Sequence, residues 1–113
     1  MARITIRNAP GTWSVRAGGA ILVESKSALG LSEGSYPEVI YFPRGDVAMA
    51  FLDATDKSTH CPHKGDASYF SIVTKSTTLE NAAWSYETPK PDMTQIKDHI
   101  AFYASDEVTI EQI

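Results

Sequence analysis

The chain has 113 residues, 42% hydrophobic and 21% charged, with a formal net charge of −4. That length suits one domain, read as 1–113, around a single core, and the composition is far from that of a disordered chain. The arginines and lysines form no basic tract, which argues against nucleic acid as a partner. No apolar window approaches the ~20 residues that a membrane helix requires.

The N-terminus has neither the apolar stretch nor the cleavage site of a signal peptide. A single cysteine allows no internal disulfide. A cytoplasmic location is therefore the expectation, and nothing in the sequence speaks to oligomeric state.

Residues 2–7 alternate, with Ile4 and Ile6 on one face and Arg3, Thr5 and Arg7 on the other, the period of a half-buried strand. Trp13 and Val15 begin a second strand that turns at Gly18-Gly19 and returns over 20–24, a hairpin signature. Residues 25–34 are rich in Ser and Gly and predict a loop with Leu29 and Leu31 tucked beneath it. Residues 38–42 are a β-prone run halted by Pro43.

A short helix is predicted next, because Asp46 can cap it and Val47, Ala48, Phe51 and Leu52 share one face. Residues 53–58 read as a polar connector, 67–74 as a strand, 75–78 as a hairpin turn and 79–86 as the returning strand. Asp92 and Gln95 have capping-box spacing for one turn of helix through Lys97. Residues 100–103 and 108–110 read as closing strands, so the fold class is sheet-dominated, mainly β or α+β, with one or two short helices.

Reactive side chains concentrate in 59–72. Cys61 sits beside His60, His63 and Lys64, and Pro62 and Gly65 predict a rigid turn between two strands. Cys61 can act as a nucleophile where a cation favours its thiolate. It can equally be a small hydrophobe at a strand end.

His60, Cys61 and His63 are zinc-type ligands, yet neighbours on a strand point to opposite faces, and a structural site wants two separated ligand pairs where only His99 remains elsewhere. No metal or other cofactor is indicated. Lys64-Gly65 can meet an anion, although the Gly-x-x-x-x-Gly-Lys-Ser/Thr pattern is absent. Glu33 and Asp46 are the carboxylates placed to transfer a proton. Arg44-Gly-Asp46 spells an adhesion tripeptide and is read as coincidence. Trp84, Tyr86, Tyr69, Tyr41, Phe102 and Tyr103 can form a binding wall, yet aromatics on alternating strands are core in most proteins, and only Tyr69 and Trp84 fall near Cys61 in the predicted hairpin.

Several of these residues recur as an ordered set: Glu24-Ser25, Glu33, Tyr41-Phe42-Pro43, Asp46-Val47, Thr59-x-Cys61-Pro62-x-Lys64-Gly65-x-Ala67-x-Tyr69, Ala82-Ala83-Trp84-x-Tyr86-x-x-Pro89 and Ala101-Phe102-Tyr103. The set resembles the bacterial and fungal family called domain of unknown function 427, over roughly 10–105. The resemblance implies a small β-tent-like domain in which two sheets lean together over a cleft. Many β-tent relatives hold zinc through paired cysteines, which this chain lacks. The family also carries a nucleotidyltransferase label, although the usual Gly-Ser motif with paired aspartates is absent here. Its members commonly have Tyr or Trp where this chain has His63.

These readings converge on a small-molecule pocket. As an enzyme it would use Cys61 as nucleophile, Lys64 as anion stabiliser and Glu33 or Asp46 for proton transfer, with Tyr69, Trp84, Tyr86 and His63 contacting the ligand. The alternative is a non-enzymatic binding or scaffold protein in which Cys61 is structural.

Overall fold

Alternation of period two runs through most of the chain. In the computed structural model, which describes residues 3–113, it produces ten strands joined by short turns. These are β1 (Ile4–Asn8), β2 (Trp13–Ala17), β3 (Ala20–Ser25), β4 (Leu29–Glu33), β5 (Val39–Pro43), β6 (Leu52–Cys61), β7 (Gly65–Val73), β8 (Thr78–Ser85), β9 (His99–Phe102) and β10 (Val108–Gln112). Seven pair antiparallel in the order β1-β4-β5-β9-β8-β7-β6, and three form a second sheet, β10-β2-β3. The expected mainly-β, two-sheet domain is what the chain forms. Residue 2, placed in the first predicted strand, lies outside the described residues.

The β2–β3 hairpin turns where the glycine pair predicts, with φ of +56° at Gly18 and +77° at Gly19, values that a side chain would oppose. Three expectations fail for identifiable reasons. The 25–34 loop contains β4, because Leu-Gly-Leu-Ser-Glu alternates and lies between β1 and β5. A β-carbon at Gly30 would displace the end of the Glu38 side chain, whose carboxylate Arg7 grips at 2.7 Å through both oxygens.

The 53–58 connector is most of β6, a strand on the rim of the large sheet. Rim strands meet little hydrocarbon and carry polar residues without penalty. The helix predicted from Asp46 is absent. Arg44–Asp46 and Met49–Phe51 are single 3-10 turns, separated by an extended Val47 that bridges to Val23. The Ala48 N–H donates to Leu22 at 2.7 Å, so pairing with β3 prevails over the local helical pattern. Asp46 accepts from Ser25 Oγ at 2.6 Å instead of capping. The turn at Pro91–Ile96 is likewise 3-10, with no side-chain cap from Asp92.

Two apolar clusters flank the large sheet. One, containing Val15, Val23, Phe42, Phe70, Ile72, Ile100 and Phe102, fills the space beneath the small sheet. The other gathers Leu31, Tyr41, Ala67, Tyr69, Tyr86 and Ala101 under Met93 and Ile96 of the 3-10 turn. The large sheet is strongly bent around this second cluster. Lys64, at the β6–β7 turn, bonds Glu33 on β4, four strand spacings away in the sheet order. Laid flat, that separation is ~19 Å, beyond the reach of the two side chains.

Candidate functional site

The Cys61-Pro62-His63-Lys64-Gly65 segment is a tight turn, closed by the Lys64 N–H donating to the Cys61 carbonyl at 3.3 Å. Gly65 has φ +112°, a backbone conformation that side chains rarely adopt, so the turn favours glycine there, and its α-carbon lies against the connector at Thr88–Lys90. The Lys90 N–H donates to the Lys64 carbonyl at 3.0 Å and fixes the turn from outside.

Lys64 Nζ then reaches inward to Glu33 Oε1 at 2.6 Å, with the two side chains only 12% and 19% exposed. Burial alone would lower the Lys64 pKa, but the hydrogen bond to Glu33 and the negative potential of Cys61, Glu33 and Tyr41 outweigh it and raise it. Lys64 is therefore held as an ammonium. It also lies 6.0 Å from the centre of the Tyr86 ring.

Cys61 is half-buried against the second cluster. Tyr69 and Tyr86 are buried in the same cluster, and Tyr69 shares a 2.9 Å hydrogen bond with Thr59. Trp84 donates from Nε1 to the Tyr41 hydroxyl at 3.2 Å and stacks on Tyr103 at 4.4 Å. The fold thus brings Glu33, Cys61, Lys64, Tyr69, Trp84 and Tyr86 to one face of the sheet.

Two predicted site residues lie elsewhere. His63 is exposed on the turn, and Asp46 lines a separate hollow of about 320 Å³ with Thr12, Glu24, Ser25, Lys26 and Ser27. His60 pairs with Asp66 at 2.7 Å on the surface. Among the described residues, no three His, Cys, Asp or Glu side chains are grouped to hold a metal.

A hollow of about 790 Å³ lies beside this cluster. Of the predicted site residues it takes Glu33 and Trp84; the rest of its lining is Trp13, Tyr36, Pro37, Glu38, Val39, Ile40, Phe102, Tyr103, Ala104 and Ile110. It opens where the large sheet splits. The β5–β9 ladder runs through Pro43↔His99 and Phe42↔Ile100 and stops, leaving Val39 and Ile40 on one wall and Phe102 and Tyr103 on the other. Tyr36 and Tyr103 are 74% and 49% exposed, so aromatic surface stands in solvent around the hollow.

A family model described as Domain of unknown function (DUF427) matches residues 5–112. The chain belongs to that family. No curated protein matches it. In this DUF427 domain the Cys-Pro-x-Lys-Gly turn meets Glu33 across the bent sheet, beside the cleft. No helix among the described residues is long and apolar enough to cross a membrane. Sequence reasoning missed Trp13, Tyr36, Val39 and Ile40 and set Tyr103 aside as core. The one available signal was Tyr36, an aromatic set in the turn-forming Gly-Ser-Tyr-Pro stretch.

Four groups around this face gain protons on folding. Burial, then neighbouring negative charge, raises Tyr86, and burial raises Tyr41 despite the Trp84 hydrogen bond. Burial and the Tyr69 hydroxyl push Tyr103 up to about 12, and Lys64 is raised as described. A folded pKa above the unfolded one gives stability that is complete below the unfolded pKa and lost as pH climbs through the folded value. Denaturation midpoints should therefore hold steady up to about pH 10, the ordinary tyrosine pKa, and fall above it. Tyr86→Phe should flatten that alkaline decline.

Proposed function

We propose that this DUF427 domain is a small-molecule-binding module whose ligand enters the split between β5 and β9. The observation that carries the reading is the interruption of an otherwise continuous sheet by a mostly apolar hollow, walled by Trp13, Trp84 and Tyr103. Its volume, about 790 Å³, falls within the range of ordinary ligand sites. On this reading Lys64 and Glu33 are a strut that holds the bent sheet in shape beside the cleft, and Cys61 is packing.

An NMR screen with a library of small neutral aromatic compounds tests it. Hits should move the amide resonances of Val39, Ile40, Phe102 and Tyr103, and Ala104→Trp, which fills the hollow from an exposed lining position, should abolish those shifts. Hits that cluster elsewhere, or that survive the blocking variant, defeat the reading.

A catalytic reading with Cys61 as nucleophile, Lys64 as anion stabiliser and Glu33 as proton carrier is favoured by one observation: Cys61 and Lys64 lie on one tight turn, and both side chains meet the cluster that contains Tyr86. Asp46, in its own hollow, falls outside that scheme. Alkylation of Cys61 by iodoacetamide separates the two readings. A rate no faster than that of a free thiol favours binding, and a markedly faster one favours catalysis.

A further inference from the structure

Antiparallel strands alternate, so each residue directs both its N–H and its C=O to one neighbour, and the next residue directs them to the other. Two observed bonds fix that alternation independently on the two sides of the cleft. The Gly34 N–H donates to the Arg3 carbonyl, which turns the even-numbered residues of β4 toward β1 and the odd-numbered ones toward β5. Through the Leu31↔Val39 and Leu29↔Tyr41 pairs, Val39 and Tyr41 then face β4, and Ile40 faces away from it, into the split. On the other wall the Tyr103 N–H donates to the Ala82 carbonyl, so Tyr103 and Ala101 face β8 and Phe102 faces the split.

Continuing the β5–β9 register beyond Phe42↔Ile100 would pair Ile40 with Phe102 and Glu38 with Ala104, and all four residues line the hollow. These two ladder positions are the ones left unmade. Peptide groups beside apolar surface gain most from a partner that supplies both a donor and an acceptor.

Resting on the reading of the cleft as a ligand site, we propose that its ligand is a short extended peptide, which completes the interrupted sheet from within. The peptide hydrogen bonds Ile40 and Glu38 on one wall and Phe102 and Ala104 on the other. Two ladder positions per wall accommodate roughly three to four residues at ~3.3 Å each. Alternate side chains would pack toward Trp13 on one face and toward Trp84 and Tyr103 on the opposite face. The two carboxylates of the lining, Glu33 and Glu38, are already paired with Lys64 and Arg7, so recognition rests on backbone hydrogen bonds and apolar side chains rather than on peptide charge.

The test uses the whole chain and a capped tetrapeptide, lysine-valine-phenylalanine-valine, followed by NMR and tryptophan fluorescence. It should shift the Ile40 and Phe102 amides. An isosteric analogue with one internal amide replaced by an ester, which cannot donate, should bind roughly three- to tenfold more weakly.

Ile40→Pro, which deletes an N–H with no ladder partner, should fold and lose affinity. If that variant fails to fold, the ester series decides alone. Ester analogues that bind as tightly as the parent overturn the proposal, as does a peptide that leaves the cleft unmoved while neutral aromatic compounds still shift it. In both cases the cleft remains a ligand site. If neither kind of probe moves those amides, both readings fall.

Discussion

Lys64→Met should lower the unfolding free energy by about 2–3 kcal/mol, because it strands a largely buried carboxylate that had a charged hydrogen-bond partner. Glu33 is 19% exposed, and its Oε1 takes the ammonium at 2.6 Å. Removing both charges together should do less harm: Glu33→Gln with Lys64→Met leaves no uncompensated ion, and its loss should fall short of the sum of the single losses. Urea denaturation of the two single variants and the double variant measures the coupling. Additive losses would mean that the pair is incidental to the bend of the sheet. A large coupling would identify the contact as the clasp that keeps the β6–β7 hairpin leaning toward β4.

The second large effect is expected at the point where the split begins. Phe42 is fully buried, pairs with Ile100 at the last closed rung, and lies 6.1 Å from Phe102 between ring centres. Phe42→Ala should remove about 3–5 kcal/mol through lost burial and the cavity left behind, a large part of the ~5–15 kcal/mol that holds a domain folded. Phe42→Leu, which retains most of the volume, should lose far less. Equal losses for alanine and leucine, read from denaturation midpoints at constant slope, would show that the ring does not wedge the fork.

The two variants probe parts of the molecule that differ in how readable they are from sequence. Local chemistry announces itself. Gly18-Gly19, Pro62 and Gly65, and the alternating 67–74 run each lead directly to the turn or strand observed, because the determining forces lie within a few residues. The nominated Glu33, Cys61, Lys64, Tyr69, Trp84 and Tyr86 do share a face, although Glu33 and Lys64 are 31 residues apart and nothing local pairs them.

Elements whose identity depends on distant partners are not legible in their own residues. Residues 46–52 have a helical pattern that β3 overrides through Val23 and Leu22. β6 looks like a connector because its polarity reflects a place on the rim, a property of the sheet and not of the segment. The cleft is the extreme case. It exists because a ladder linking residues 42 and 100 stops after two rungs, and no residue type marks that absence. Asp46 is a carboxylate at a predicted helix start. Without that helix, it is a partner for Ser25.

The small sheet has a consequence for the order in which the molecule can assemble. Its middle strand, Trp13–Ala17, has one neighbour immediately after it and the other at Val108–Gln112. A growing polypeptide can therefore close the hairpin early, but half of that layer waits for residues 108–112, about ninety positions later. Until then Val15 and its neighbours have only a partial roof. Closing so long a loop late favours slow, all-or-none acquisition of the native state over stepwise maturation.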